Sequence, residues 1–459
     1  MTYIEIPEKA KRILKTLHDS GFEAYVVGGC VRDSILGRRP EDWDITTSAA
    51  PQQVKALFAR TIDTGIAHGT VTVMDGKDAF EVTTYRIDGD YEDCRHPKHV
   101  AFTSNLSEDL KRRDFTINAM AYSDESGLID LFCGMEDLEH KVIRCVGEPR
   151  ERFSEDALRM LRAVRFAAQL GFTLDEGAKA AIREMAEALD HISAERIQVE
   201  LVKLLTSAHP HWFRLVYETG ITSVILPEFD RIMVQRQNNP HHIYSTGEHT
   251  LAALRSIPSD KVLRLTMLFH DMGKPEVFVT DENGKDHFKG HAAHSARIAE
   301  KVMRRLRFDN ETTRQVCTLV KHHSLYPQLT GRDVRRSAYL IGPELFDSFL
   351  LVKRADCLAH HPDVIPAMLD YLRELERIWR DIQLHGDCLS VKGLAVTGND
   401  LIGDGMRPGP ELGRMLEHLL ELVLAHPEKN EREMLLAESR RYRAEGDVDQ
   451  VIERPVIEE

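Results

Sequence analysis

The chain of 459 residues has no continuous apolar run of about 18 residues, so no segment is expected to span a membrane. Its first residues, MTYIEIPEKAKRILKTL, lack the basic n-region and apolar h-region of a secretory signal and read instead as an amphipathic helix. The seven cysteines (Cys30, Cys94, Cys133, Cys145, Cys317, Cys357, Cys388) include no CxxC pair. That spacing argues against a zinc ribbon or a disulfide framework and for reduced thiols in a cytoplasm. Basic charge is not in excess either: the formal net charge is −14, which argues against a generic polyanion binder. Local recognition of RNA is still compatible with it, since Lys141 to Arg165 carries seven basic residues against four acidic ones. What is present, 42% hydrophobic and 29% charged residues, is ordinary for a soluble globular protein. The length implies about three domains.

Chemistry concentrates first in Gly28-Gly29-Cys30-Val31-Arg32-Asp33 and in Asp42-Trp43-Asp44-Ile45-Thr46-Thr47. Tyr25 to Val27 read as a short buried strand, the paired glycines as a tight turn, and Cys30 to Leu36 as a helix. A glycine turn feeding a helix start suits phosphate. Asp42 and Asp44, at i and i+2 of an extended segment, leave the same face and suit shared Mg²⁺ in a phosphoryl displacement. Pro51 to Arg60 is expected to be helical, and Gly69 to Met74 and Phe80 to Tyr85 to be strands around Asp75-Gly76. Glu81 falls in the second of these strands, either as a third carboxylate or as an edge charge. Ser107 and Glu108 mark a helix start before Arg112 and Arg113, whose guanidinium forks suit triphosphate, Arg113 in particular.

The run GGCVRDSILGRRPEDWDITT resembles the signature of the class II tRNA nucleotidyltransferase and bacterial poly(A) polymerase family, within the polymerase-beta-like nucleotidyltransferases. Arg112-Arg113-Asp114-Phe115-Thr116-Ile117-Asn118-Ala119-Met120 matches that family as well, and the resemblance runs from about Tyr25 to Leu205. It implies that Asp42 and Asp44 are catalytic Mg²⁺ ligands and that Gly29, Arg32 and Arg113 meet the nucleotide. It also implies that the polar segment Arg86 to Lys98 is a loop tied to switching from C to A addition.

Phe153 to Leu170 is expected to be one helix starting at Ser154, with Arg159, Arg162 and Arg165 fanned across half of it. Asp156 and Arg159 would share a face at i, i+3. A carboxylate accepting the exocyclic amine of cytosine or adenine, with a guanidinium donating to the neighbouring ring nitrogen, selects C and A against U and G. The resemblance implies this role for the EDxxR motif, and support of the nucleotide or its phosphates by Arg162 and Arg165. Arg196 to Leu205 reads as core rather than site.

A second chemistry begins near Pro240. His249, His270-Asp271 and Asp356 resemble the H…HD…D set of the HD phosphohydrolase superfamily, a helical fold that binds metal. Adjacent His270 and Asp271 need a helix end to face one site, and imidazole with carboxylate suits a divalent transition metal. His291, His294, His322 and His323 are enough for a second ion. In the tail, glycines around Arg407 to Gly413 resemble an RNA-gripping segment, and residues 447–459 read as a frayed acidic end.

The expectation is therefore an α+β nucleotidyltransferase head with a small mixed sheet (1–140), followed by an all-α neck (141–238), an HD domain (239–370) and a helical, tRNA-binding tail (371–459). The expected function is template-independent addition of C and A (CCA) from CTP and ATP to the tRNA 3′ end, in the cytoplasm and without a membrane partner. An A-adding enzyme, a poly(A) polymerase and a metal-dependent HD phosphohydrolase stand as alternatives.

Overall fold

The computed structural model describes residues 3–88, 100–238 and 244–444. The chain divides into two compact units, Met1–Pro227 and Glu228–Glu459.

The first unit is built on a seven-stranded sheet. Its strands are β1 (Ala24–Val27), β2 (Ile45–Thr47), β3 (Thr61–Gly65), β4 (Thr70–Asp75), β5 (Asp78–Thr84), β8 (Met120–Ser123) and β9 (Gly127–Asp130), in the spatial order β3-β4-β5-β2-β1-β8-β9. Between them in sequence, β6 (Arg86–Asp88) and β7 (Val100–Phe102) form a separate ribbon. The sheet is mixed: β2 runs parallel to β5, Ile45 opposite Val82, while every other pairing within it is antiparallel. The β4–β5 hairpin closes at Asp75 opposite Asp78, with Gly76 at φ +69°, the left-handed conformation that glycine adopts without strain. Val26, Val27, Ile45, Val71 and Val82 are buried, so β-branched side chains fill the middle of the sheet. The expected loop at Arg86 to Lys98 thus begins as a strand, because Arg86–Asp88 pairs with Val100–Phe102; residues 89–99 lie outside the described residues. The helix before Arg112 spans Leu106–Lys111, and Asn105, not Ser107, caps it by accepting the Ser107 N–H at 2.9 Å.

The single helix expected over Phe153 to Leu170 is two helices, Pro149–Glu155 and Leu158–Leu170. Asp156 breaks it. Its backbone is extended (φ −144°, ψ 103°), its carboxylate accepts the Leu158 N–H at 3.1 Å, and its carbonyl accepts the Arg159 N–H at 2.9 Å. A short acidic side chain competes for backbone donors and so favours a helix start over a helix interior. Ser154 is not the cap; its hydroxyl donates to the Glu151 carbonyl at 2.8 Å. Glu176–Met185 and Ala194–Leu205 follow as amphipathic helices.

Among its described residues the second unit is helical apart from a ribbon of Val279–Thr280 with Asp286–His287. Side chains of Ser245, Asp260, Asp309, Thr330 and Thr397 cap its helices by accepting first-turn N–H groups. Each such cap stabilises by about 1 kcal/mol. One buried cluster gathers Phe346, Phe349, Leu375 and Trp379, and another Leu401, Leu419, Val423 and Leu435. Tyr371 to Trp379, expected to be helical, lies inside Ile365–His385. The glycine-bearing segment near Arg407 leads into Pro410–Ala425, and residues 445–459 lie outside the described residues. No helix among the described residues is long and apolar enough to cross a membrane.

Candidate active site

In the first unit the chain turns sharply from β1 at Gly28 (φ +80°), where a Cβ would lie 3.0 Å from the Arg113 Nη1. The Val27 N–H donates to the Asp44 carbonyl at 3.0 Å, which brings the segment carrying Asp42 and Asp44 beside that turn. Both aspartates sit just ahead of β2, which begins at Ile45, and not within it. They open onto a cavity of about 620 Å³ whose wall also includes Gly29, Arg32 and Arg165. The walls take enough water from Asp44 to raise its pKa; the Arg113 charge opposes this, and the Glu81 and Asp42 charges reinforce it. Glu81, exposed and opposite Thr72 on the hairpin, therefore acts electrostatically on Asp44. Ligand atoms packed within 4.8 Å in groups of three or more occur, among the described residues, only in the second unit.

The basic side chains around this site are held by buried acids. Asp109 accepts two hydrogen bonds from Arg112, at 2.7 and 3.0 Å, and one from the Thr46 hydroxyl of β2 at 3.0 Å. Arg113 approaches the same carboxylate at 3.6 Å. Burial alone would raise Asp109; the Arg113 and Arg112 charges outweigh it and lower the pKa. A second chain of polar groups runs from Arg32 Nη1 to Asn118 Oδ1 (2.7 Å), and from Asn118 Nδ2 to Asp114 Oδ1 (3.1 Å). Arg162 then donates twice to Asp114 Oδ2, at 2.9 and 2.6 Å. Desolvation opposes ionisation of Asp114, yet the Arg162 charge and these hydrogen bonds bring it down to about 2. Arg165 is ion-paired with buried Glu200, and the Phe166 ring lies 3.7 Å from the Arg165 guanidinium carbon, 5.1 Å from that of Arg32 and 5.4 Å from that of Arg162.

The helix break changes the geometry expected of Asp156 and Arg159, which do not sit on one face of one helix. Asp156 instead pairs with Arg196, at 2.7 and 3.3 Å. Arg159 pairs with Glu155 and donates to the Arg112 carbonyl at 3.0 Å and the Arg152 carbonyl at 3.1 Å. The helix Ala194–Leu205, read from sequence as core, contributes both Arg196 and Glu200 to this network. Glu200 is 4% exposed on an otherwise apolar face. A carboxylate on a buried stripe was the available signal, as were Asp114 and Asn118 at i, i+4 in the second motif.

The second unit brings His249, His270, Asp271 and Asp356 together, all buried. The helix Lys261–Phe269 ends one residue before His270, which frees His270 and Asp271 to face one point, as expected. A Cβ at Gly273 would meet the Ser295 nitrogen at 2.4 Å, so a close helix approach explains that glycine. His249 Nε2 lies 2.8 Å from Asp356 Oδ1, and His270 Nε2 lies 3.3 Å from Asp271 Oδ2. The other oxygen, Asp271 Oδ1, faces His291 Nε2 at 3.4 Å and His323 Nε2 at 3.7 Å. His294 and His322, expected as candidates for a second ion, stand apart: His294 pairs with Glu276 at 2.7 Å, and burial beside Lys321 lowers His322 to about 4. His360, absent from the sequence reading, joins His249 and Asp356 instead.

Five imidazoles, His249, His270, His291, His323 and His360, direct Nδ1 at backbone carbonyls, at 2.7 to 3.2 Å. In the tautomer protonated at Nδ1, this contact turns Nε2 of each ring away from the backbone as a possible metal ligand. Burial would raise Asp271 and Asp356, but the imidazoles, and Lys274 beside Asp271, hold both well below the usual carboxylate range. Burial lowers His249; at His270 burial acts the same way, but the Asp271 and Asp356 charges outweigh it and raise the pKa. His270 Nε2 is buried without a hydrogen-bond partner, and Asp271 Oδ2 lies 3.3 Å from it and 2.8 Å from the Lys274 ammonium. Buried carboxylate oxygens and imidazole nitrogens converging on one point are a donor set suited to a divalent cation. The cluster fits a divalent metal, and Asp271 belongs both to the group with His249 and His270 and to the group with His291 and His323.

The chain matches the family model described as "Poly A polymerase head domain" over residues 24–144, "Probable RNA and SrmB- binding site of polymerase A" over 171–233, and a tRNA nucleotidyltransferase domain 2 over 291–438. It is 37% identical over 430 residues to a CCA-adding enzyme of Levilactobacillus brevis, covering 94% of this chain and 96% of that one. A CCA-adding enzyme of Lactobacillus helveticus is 39% identical over 91% of this chain and 92% of its own. Among solved structures, the CCA-adding enzyme of Bacillus stearothermophilus in complex with CTP superposes with a TM-score of 0.70 at 29% identity, covering 96% of this chain and 98% of that chain. The likeness thus extends well beyond Leu205, where the motifs fade.

Proposed function

The chain belongs to the class II CCA-adding enzyme and poly(A) polymerase family, and from this membership we infer that it adds C and A to the 3′ end of tRNA. The 3′ hydroxyl oxygen attacks the α-phosphorus of CTP or ATP; the bond to the bridging oxygen breaks, pyrophosphate leaves and the hydroxyl proton passes to solvent. Asp42 and Asp44 hold the divalent metal, read here as Mg²⁺ from their hard, exposed oxygens. When bound, that ion supplies charge neutralisation at the phosphates and lowers the pKa of the hydroxyl. Arg113, poised between Gly28 and Asp44, meets the triphosphate, and Gly29 and Arg32 contact the nucleotide beside the turn. Arg162 and Arg165 support it through Asp114 and Glu200. Asp156 and Arg159 read the base once the nucleotide's edge replaces Arg196 and Glu155 as their partner. The observation that carries this reading is the end-to-end likeness to CCA-adding enzymes in a chain whose two catalytic carboxylates are intact and open to the cavity.

The test is incorporation of each labelled nucleoside triphosphate, with Mg²⁺, onto tRNA transcripts ending at the discriminator base, at C and at CC. Addition of C then A from every start, stopping at CCA, is the expected result. Addition of A to the CC transcript alone would make this an A-adding enzyme, and extension past CCA a poly(A) polymerase.

The second-unit cluster supports a further reading, that His249, His270, Asp271 and Asp356 hold a transition metal of HD type, with His291 and His323 serving a second ion. Metal analysis of the purified chain, with and without Asp271→Asn, checks it. Phosphohydrolase activity is the chemistry such a centre serves, and a cytoplasmic location fits both activities.

A further inference from the structure

Three of the arginines around the head site converge on one aromatic ring. Phe166 lies on the helix Leu158–Leu170 and is 6% exposed. Arg165 stacks on it, its guanidinium carbon 3.7 Å from the ring centre, and those of Arg32 and Arg162 stand over the ring at 5.1 and 5.4 Å. Phe115, from the second motif of the head, meets the same ring edge-on at 5.7 Å and 79°. The ring thus joins Arg32, on the helix Gly29–Ile35, to two arginines of its own helix. Consecutive helical residues do not ordinarily face each other. Arg165 nevertheless folds back across its neighbour, with its N–H groups taken by Glu200 and by Gln169 Oε1 at 2.6 Å.

A carboxylate engages a guanidinium through its N–H edge, whereas an aromatic ring engages its face. The two contacts are independent, so a guanidinium held by both has its plane as well as its direction set. Asp33, Asp114 and Glu200 take edges of Arg32, Arg162 and Arg165, and Phe166 supplies the ring beneath all three. Arg32 and Arg165 are themselves buried, so little water screens the attraction between cation and ring. Both also line the cavity onto which Asp42 and Asp44 open; Phe166 is not among its lining residues. On the proposed reading, on which this inference rests, Arg32, Arg162 and Arg165 serve the incoming nucleotide. Guanidiniums ordered before binding cost no affinity when the triphosphate arrives. We propose that Phe166 is a positioning residue for nucleotide addition, whose ring holds these three guanidiniums in the one arrangement that CTP and ATP both meet.

The experiment uses the full chain with tRNA transcripts ending at C and at CC, for addition of C and of A. It compares Phe166→Leu, which keeps an apolar side chain without a ring, with Phe166→Tyr, which keeps the ring. Phe80→Leu, at an equally buried position on β5, controls for loss of a core aromatic. Phe166→Leu is expected to raise the KM for CTP and for ATP together by about tenfold and to lower kcat by less than about threefold. Phe166→Tyr and Phe80→Leu should each leave both KM values within about twofold of the wild type. Circular dichroism and urea unfolding establish that each variant is folded in the assay, and Phe166→Met takes the place of the Leu variant should that one unfold. Unchanged KM values without the ring overturn the proposal. So does an equal rise in Phe80→Leu, or a failure of Phe166→Tyr to restore the KM, either of which would leave Phe166 a packing element. Failure of the wild-type chain to add any nucleotide would instead overturn the underlying reading, whatever the variants at Phe166 do.

Discussion

The two units hold their acids in opposite ways. Asp42 and Asp44 are exposed on a cavity wall, with arginines nearby that are mostly committed to other carboxylates. Asp271 and Asp356 are 2% and 9% exposed and hemmed by imidazoles. An open pair suits an ion that enters and leaves with each nucleotide, whereas a closed cluster is built for an ion that stays. The same residue type, aspartate, is set to either task by what surrounds it.

The largest test of this contrast is Asp42→Ala. Loss of this carboxylate, proposed as a catalytic metal ligand, should reduce nucleotide addition by several kcal/mol of barrier, about a thousandfold or more, in the incorporation assay. Metal bound by the second unit should not change; if it falls too, the two acid sets are not independent. The reverse variant, Asp271→Asn, is expected to weaken retained transition metal about a hundredfold, read by metal content after dialysis, with addition changed less than about twofold. Loss of addition in that variant would break the division of labour.

Within the first unit, Asp114 sharpens the comparison because it is a buried acid paired with arginine and not with imidazole. Its folded pKa of about 2 lies below the ordinary 3.8. A depressed carboxyl stabilises the fold above its unfolded pKa, so the contribution, about 2 kcal/mol, is complete above about pH 5 and is lost as pH falls from about 4 towards 2. Urea unfolding of the wild type and of Asp114→Asn should show a gap that narrows over that acidic range; a constant gap would show that the loss is one of packing. The smallest effect is expected for Arg196→Ala, which frees Asp156 without removing it. Discrimination of CTP over UTP should fall about threefold, well below the 1–3 kcal/mol that deletion of the reading carboxylate itself would cost.

Features set by neighbours in sequence were legible before the fold was known. The strand, glycine turn and aspartate pair of residues 25–44 are local, as is the end of the helix that lets His270 and Asp271 face one point. Partners brought from a distance were not. Arg196 and Glu200 follow a helical apolar pattern that says nothing of what lies across it, and His360 stands outside the HD spacing. His294 and His322 resembled ligands because they neighbour true members of the cluster, and only helix phase separates His291 from His294 and His323 from His322. The break at Asp156 was hidden because Leu158, Leu161 and Val164 carry the helical period without interruption; its one local sign is an acid that behaves as a cap.

That break gives Asp156 a second capacity. Sitting at the joint of two short rods, its carboxylate is aimed by the angle between Pro149–Glu155 and Leu158–Leu170 as well as by its own torsions. Substitutions in the packing beneath either rod can therefore re-aim the carboxylate proposed to read the base while both motif residues stay unchanged. On the proposed reading of Asp156, nucleotide preference is adjustable from a distance, by tilt.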